Sequence, residues 1–441
     1  MQASADRGAT AGSIFAWLAP ACLLASVLQF LGVLHARAIV PDLTREVTRE
    51  GLRRQTDLPT VSVVIPARDE APSLRHALPT VLSQDYPRLE VVVVNDRSSD
   101  HTQAVAEAAV AGAAADGAGA PPGARGLRAV VQRIDALPAG WLGKTHALYQ
   151  GARSASGEWL LFADADVCFE PTALRRAVQY AEKESLDHLT LIPKLDLAGY
   201  WLRGVVAFFY MSYMIMLGRY RTNVPGSRVG LGIGAFNLLR RDAYGAVGSY
   251  AALRLSAADD LALGRAVKRA GFKQRVLTAV GTDHEAPLVR LRWYDSLPDF
   301  FRGVEKNVLP ICGYNPLAVG LVALTSQLTS VLPMLAPLFA GVRHRRVTSA
   351  AYAAAATLNY ASSVLFGGHQ RHPRPLVLAL GQPVCGALSC YALLRAATTV
   401  LKAGGVTWRG TFYPLRLLRD AERATAAEPV AGPRPGRAGP S

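Results

Sequence analysis

Two pairs of aspartates in this 441-residue chain have the type and spacing that chemistry needs: Asp164-Ala-Asp166 and Asp259-Asp260. The first pair closes the apolar run 159–163. Two carboxylates one residue apart beside a core raise each other's pKa, and burial disfavours both ionised forms. A hard cation, Mg²⁺ or Mn²⁺, relieves that conflict. Carboxylate oxygens are its preferred ligands, and one or two suffice when phosphates complete the shell. The second pair opens a helical pattern just beyond the glycine-rich stretch Gly230-Leu-Gly-Ile-Gly234. A single aspartate there is an ordinary helix cap, whereas two in succession after a glycine loop suit a positioned base. An isolated Asp-x-Asp is more often a solvated turn, so the surrounding elements decide.

Those elements alternate. Residues 60–65 read as a strand ended by Pro66, and Pro72 begins a helix to about Ser83. Residues 90–95 are a second strand, followed by Asp96 and a Ser-Ser-Asp-His-Thr turn able to cap the next helix. An Ala/Gly/Pro-rich loop is expected over 111–126 and a third strand over 127–132, then a helix from Lys144 and the strand that ends in Asp164. Unbroken Val/Ile runs separated by helices specify a mainly parallel sheet covered on both faces. Ligands bind such sheets at the carboxyl ends of the strands, and Asp69, Asp96, Asp164 and Asp166 all fall at or just after such ends.

The flanks are apolar. Hydrophobic residues make up 50% of the chain, and the net charge is +15. Residues 14–34 carry no charge and are too long for the apolar region of a cleaved signal, so they read as a membrane anchor. Beyond it, Arg45, Arg49 and Arg53 recur at helical spacing. With Arg37 and Arg54 they outnumber the local acids and assign that side to the cytoplasm. Residues 317–340, 347–366 and 376–400 are each long enough to cross a bilayer, and the end of the chain from about Ala421 has a disordered composition. The segment 200–220 is also apolar but contains Arg203; it reads as an interfacial helix or acceptor channel, because a crossing there would separate Asp164 from Asp260. No basic patch interleaves with aromatics, so no nucleic-acid partner is expected. The five cysteines show no paired spacing and read as reduced thiols.

The residues Val63-Val-Ile-Pro-Ala-Arg-Asp-Glu70, Val91-Val-Val-Val-Asn-Asp96, Gly140-Trp-Leu-Gly-Lys144, Asp164-Ala-Asp166 and Asp259-Asp260-Leu resemble, in this order, the motifs of family 2 glycosyltransferases. The membrane-bound subgroup with hopene-associated and carotenoid-type enzymes is the most similar. The resemblance implies an α/β GT-A fold with one N-terminal and about three C-terminal transmembrane helices. The implied domains are an anchor over 1–36, a basic juxtamembrane linker over 37–58, the catalytic domain over 59–312, membrane helices over 313–404 and a basic tail over 405–441. It further implies that Pro66, Ala67, Arg68, Glu70 and Asp96 hold the nucleobase and ribose. Lys144 and Asp164 would stand at the donor diphosphate, Asp166 with Asp164 at a divalent metal, Asp260 as base with Asp259 as its substitute, and Gly234 and Ala235 on the acceptor side.

Two departures are an Asp at position 69, where the family often has Asn, and an Asp at 259, where it usually has Glu. A third is the processive synthases' aromatic-basic motif, reduced here to Arg302-Gly-Val-Glu-Lys306, which leaves Arg302 and Lys306 without an assigned role. The expected activity is therefore metal-dependent, inverting transfer of a sugar from a nucleotide-diphosphate donor, a UDP-sugar, to a lipid or lipid-linked acceptor. The expected setting is a multi-pass protein of the plasma membrane with a cytoplasmic catalytic domain. The alternatives are a processive polysaccharide synthase and a non-catalytic nucleotide-binding membrane or transport protein. The latter gives no reason for both Asp164-Ala-Asp166 and Asp260.

Overall fold

The computed structural model describes residues 2–52, 58–117, 126–339, 345–408 and 410–427. Ten strands build the α/β part: β1 Val61–Ala67, β2 Leu89–Asp96, β3 Arg128–Ile134, β4 Trp159–Phe162, β5 Val167–Phe169, β6 His188–Ile192, β7 Lys194–Leu195, β8 Asn237–Arg240, β9 Gln274–Thr278 and β10 Val289–Leu291. Seven of them form one sheet in the order β3-β2-β1-β4-β8-β6-β9. The pairs β1–β2, β2–β3, β1–β4 and β6–β9 are parallel, and β8 runs antiparallel to both neighbours. A small sheet β5-β10-β7 follows directly on the Asp164-Ala-Asp166 turn.

The apolar runs account for this. All eight residues of β2 are buried, as a strand covered on both faces requires. Val63, Val91, Val93 and Leu161 enter one core, while Val64, Val92, Val94, Leu160 and Phe162 enter the core on the opposite face. Pro66 lies inside β1, although the sequence suggests that it ends the strand. The Val61 amide donates to Arg88 on the β2 side, so by alternation the Pro66 nitrogen faces β4. That pairing stops at Val64–Phe162, and the missing N–H leaves no gap in the ladder.

Three local expectations are corrected. The helix after β2 runs Thr102–Gly117, so the first part of the expected loop is helical, as its alanines favour; residues 118–125 lie outside those described. The basic stripe forms only a four-residue helix, Leu43–Glu46, capped by Asp42. Arg49 pairs instead with Glu170 at 2.6 Å, and Arg53 and Arg54 lie outside the described residues. The tail expected to be disordered contains the amphipathic helix Leu415–Ala427.

The chain divides into two compact units. One contains the sheet: Val40–Asp196, Arg221–Trp293 and Tyr413–Ser441. The other is helical: Met1–Ile39, Leu197–Tyr220 and Tyr294–Phe412. The stretch 59–312 is thus shared between them. Asp42 ties the juxtamembrane residues into the sheet unit by accepting from the Thr278 hydroxyl at 2.7 Å and the Val280 amide at 2.9 Å.

In the helical unit, two described helices are long and apolar enough to cross a membrane, Ala16–Ile39 and Gln382–Ala403. About three C-terminal spans were expected; among the described residues one passes, because helix Pro316–Ser330 is short and turns by 101° from Glu305–Ile311. The 25-residue helix Arg345–His369 is long enough but contains a polar face. That face clamps the N-terminal helix: Gln29 donates to Asn359 Oδ1 at 2.8 Å, and Asn359 Nδ2 donates to Ser26 Oγ at 2.8 Å. The segment after Leu197 forms helix Tyr200–Met211, buried against Gln382–Ala403 where Ser389 Oγ donates to Val205 O at 3.2 Å. Arg203 is satisfied within the unit, donating to Leu197 O at 2.7 Å.

A polar patch interrupts the sheet core. His188, Thr190, Asn237 and Gln274 are all buried. They are register neighbours, His188 opposite Gln274 and Thr190 opposite Asn237. The His188 ring lies between the Gln274 amide nitrogen and Asn237 Oδ1. A neutral imidazole protonated at Nε2 satisfies both partners, whereas a second proton on Nδ1 would oppose the glutamine N–H. Burial accordingly pulls the His188 pKa down to about 4, although the Asn237 bond opposes the shift. The unfolded chain takes up this proton near pH 6.5 and the folded chain does not, so stability is complete above pH 6.5 and declines as pH falls towards 4. From pH 6.5 to pH 5 this group alone should remove about 2 kcal/mol, at about 1.4 kcal/mol per unit. Denaturant midpoints at pH 7 and pH 5 check this: His188→Asn should lose less stability over that interval than the natural protein.

Candidate active site

Lys144 holds the centre. It sits in the first turn of helix Gly143–Ser154, and its Nζ lies 2.8 Å from Asp164 Oδ1 and 3.3 Å from Asp259 Oδ1. One ammonium thus joins the end of β4 to the start of helix Asp259–Arg269. The glycine loop completes the ring. The Asp164 amide donates to Gly234 O at 3.0 Å, and the Gly234 amide donates to Asp260 Oδ2 at 2.7 Å. Asp260 Oδ1 accepts from its neighbour Leu261 N at 2.7 Å. Asp259 is buried and bound to Lys144, while Asp260 retains partial exposure. Of the two residues, Asp260 is the less buried.

Several charges share this small volume. Burial raises the Asp166 carboxyl to about 7, with Asp164 and Glu70 adding to the rise. Burial also lifts Asp259 to about 6 against the opposing pull of Lys144, and it raises Asp260 in the same way. Burial disfavours the Lys144 charge, but Asp164, Asp259 and Asp260 together outweigh it and hold the ammonium well above its ordinary value. The negative charge around Asp166 is therefore only partly compensated. Among the described residues no group of three or more His, Cys, Asp or Glu forms a ready-made metal cage. A partly compensated carboxylate pair without a full cage fits Mg²⁺ or Mn²⁺, which take one or two carboxylates and complete their shell with phosphate and water.

The β1 and β2 ends form the adjoining wall. Pro66 and Ala67 end β1, Arg68 follows, and Glu70 precedes helix Ala71–Leu82. Asp96 ends β2, where Arg97 binds it through Nε at 2.7 Å and Nη2 at 3.0 Å. Gly143 leaves room at this corner: a Cβ there would displace the Asp96 carboxylate, whose Oδ2 it would meet, and lie 3.0 Å from Arg97 Nη2. Asp69 has a different task. At φ 53° its carboxylate accepts from the Ser99 amide at 2.7 Å and hydroxyl at 3.0 Å, so it fastens the β1 loop to the β2 loop. Ala235 is buried beside Gly234. Arg302 and Lys306 belong to the helical unit, where Arg302 pairs with Asp299 at 2.6 Å and Lys306 lies over the Trp408 ring at 3.3 Å. Arg97 was not singled out from the sequence, and the Ser98–Ser99 turn was read there only as a helix cap; the positive φ of Arg97, 56°, marks the corner only once the backbone is seen.

A family profile described as "Glycosyltransferase like family 2" matches residues 59–294, more than half of the chain. The chain belongs to this family. Among curated relatives is the 4,4'-diaponeurosporenoate glycosyltransferase of Staphylococcus aureus, 26% identical over 208 residues, which are 47% of this chain and 51% of that protein. The chain thus spans about half the length of the curated relatives it matches. Similar solved structures include the mannosyltransferase PcManGT from Pyrobaculum calidifontis in complex with GDP-Man and Mn²⁺. Its TM-score is 0.49 at 18% identity, covering 89% of this chain and 99% of that one. Another is S. aureus TarS in complex with UDP, with a TM-score of 0.34 at 16% identity, covering 80% of this chain and 96% of that one.

In this family member the glycine loop and the helix behind Asp260 touch backbone to backbone. A Cβ on Gly232 would fall on the Asp260 carbonyl, and one on Gly230 would fall on that of Gly264. The loop can deliver the Gly234 amide to Asp260 only because these side chains are absent. Gly232→Ala should therefore destabilise the fold by about 1–3 kcal/mol through overpacking and displace Asp260. Gly245→Ala, where nothing lies within 4 Å of the added carbon, serves as the control. Unfolding midpoints of the two variants should separate clearly.

Proposed function

We propose that this glycosyltransferase moves a sugar from a nucleotide-diphosphate donor to an acceptor hydroxyl on a lipid or lipid-linked molecule, with inversion at the anomeric carbon. The observation that carries the reading is Lys144 Nζ bound to both Asp164 and Asp259 while Gly234 links Asp164 to Asp260. The donor diphosphate would lie against Lys144, whose charge the neighbouring aspartates maintain. Pro66, Ala67, Arg68, Glu70 and Asp96 would line the nucleoside side. Asp166, with Asp164, would hold a divalent cation, which when bound supplies positive charge against the departing diphosphate. Asp260 would accept the acceptor's proton during attack, with Gly234 and Ala235 beside the acceptor.

The lipid acceptor is supported by the apolar helices Ala16–Ile39 and Gln382–Ala403 and by the curated relative, whose name gives a carotenoid-type acceptor. The arginines after the first helix favour a cytoplasmic catalytic unit.

Membranes containing the full chain, supplied with labelled UDP-glucose or GDP-mannose and Mn²⁺, should transfer label into the organic-soluble fraction. EDTA or Asp166→Ala should abolish transfer; activity that persists in EDTA removes the metal from the reading. Asp260→Asn should lower turnover by about 10²–10⁴-fold with UDP affinity preserved. An acceptor that is itself a carboxylate arrives without a proton and would make the same variant mild, so this substitution also separates the two acceptor chemistries. Because burial raises the Asp260 pKa and the base must be ionised, activity should fall on the acid side, with a limb above the ordinary aspartate value near 3.9. A pH–rate profile tests that directly.

A further inference from the structure

The polar patch beneath the glycine loop has no part in the chemistry above, yet every bond it makes to the backbone reaches an element that holds Asp260. Gln274 is its centre. The Gln274 Oε1 accepts from the Leu231 amide at 3.3 Å, and Nε2 donates to Leu231 O at 3.0 Å and to Gly264 O at 3.2 Å. One side-chain amide therefore grips the glycine loop at Leu231 and the Asp259–Arg269 helix at Gly264. Asp260 stands between these two attachments, bonded to Gly234 of the loop and belonging to the helix.

The neighbours fix that amide in place. Nδ1 of the buried His188 binds Nε2 of Gln274, which orients the amide, and its Nε2 binds Asn237 Oδ1. Thr190 Oγ1 lies 3.2 Å from His188 Nε2 and 3.5 Å from Leu231 O. The Asn237 amide nitrogen lies 3.1 Å from where a Cβ on Gly232 would stand, so it abuts the loop from below. All four side chains are buried. A core of this kind is stabilised more simply by hydrophobic residues, and a buried hydrogen-bonded network instead specifies one arrangement.

We propose that Gln274, oriented by His188, is a positioning residue for Asp260, clamping loop and helix so that the Gly234 amide meets Oδ2. This inference rests on the reading of Asp260 as the proton acceptor. Gln274→Met removes the three hydrogen bonds to the loop and helix backbone, and the one to His188 Nδ1, at nearly constant volume. It should lower kcat by about 10–100-fold, the scale expected of a small misplacement, while UDP affinity in Mn²⁺ stays within about threefold. Added to Asp260→Asn it should cause no further loss, because a residue acting through Asp260 has nothing left to position. Additive losses, or a kcat equal to that of the natural protein, would overturn the proposal. A normal rate in Asp260→Asn alone would instead remove the base reading.

Hydrogen exchange reads the clamp without any substrate. Gln274→Met should speed exchange in peptides spanning 230–234 and 260–264 and leave those of helix Gly143–Ser154 unchanged. Uniform exchange across all three contradicts the proposal. If Gln274→Met does not fold, Thr190→Val removes one bond to the same loop and should show a smaller change of the same pattern. Unchanged exchange at 230–234 in that variant counts equally against the clamp.

Discussion

A half-buried ammonium between two carboxylates determines how this site is built. Lys144 is close to both Asp164 and Asp259, and the three groups come from separate elements: a helix start, a strand end and a second helix start. Each charge alone would be strongly disfavoured at that depth; together they are tolerated because attraction in a low-dielectric setting offsets lost hydration. Even so the balance is incomplete. With Asp166, Asp260 and Glu70 nearby, acids outnumber the single lysine, and burial raises the Asp166 and Asp260 carboxyl groups, with Asp164 adding to both rises. Such a cluster repels a polyanion and favours a cation.

The sheet makes this concentration of charge possible. Strands β1, β2 and β4 run parallel and end on one edge, and β8 enters that edge antiparallel with Asn237 opposite Phe162. Strand ends supply Asp96 and Asp164, and the loop into β8 supplies Gly234. The valine-filled layers on both faces keep these ends in register, while the glycines allow the loop to lie on a helix backbone.

Much of this could be read from residue order. The strands that end at Ala67, Asp96 and Phe162 follow from unbroken Val, Ile and Leu runs, and the aspartates beyond them stand out because such runs rarely end in paired acids. What escaped was set by distant partners. Asp259 reads as a substitute base, yet a lysine 115 positions earlier binds it, and no local pattern reveals that. Asp69 reads as one more site carboxylate, but its left-handed backbone directs it to the Ser98–Ser99 turn. The last part of helix Thr102–Gly117 and the end of helix Leu415–Ala427 were hidden by Ala- and Arg-rich composition, where a local helical preference outweighed the look of a loop or tail. The alternation of His188 and Thr190 within an apolar strand was a legible sign that one sheet face carries a polar patch. Its partners Asn237 and Gln274 came only with the strand register.

The clamp between the N-terminal helix and Asn359 has a consequence for how the chain is made. Gln29 and its partner are 330 residues apart. At about 5–20 residues per second of synthesis, Gln29 waits roughly 15–65 s for Asn359 to appear. During that interval the strands of the sheet unit, within Val40–Asp196 and Arg221–Trp293, leave the ribosome and can pair, ahead of that unit's last segment from Tyr413. The helical unit is therefore assembled last, around a first helix whose polar residues Ser26 and Gln29 have been held in reserve. Of the apolar helices that follow, the one carrying Asn359 offers these residues the amide they bond to, so the clamp selects a neighbour as well as fastening it.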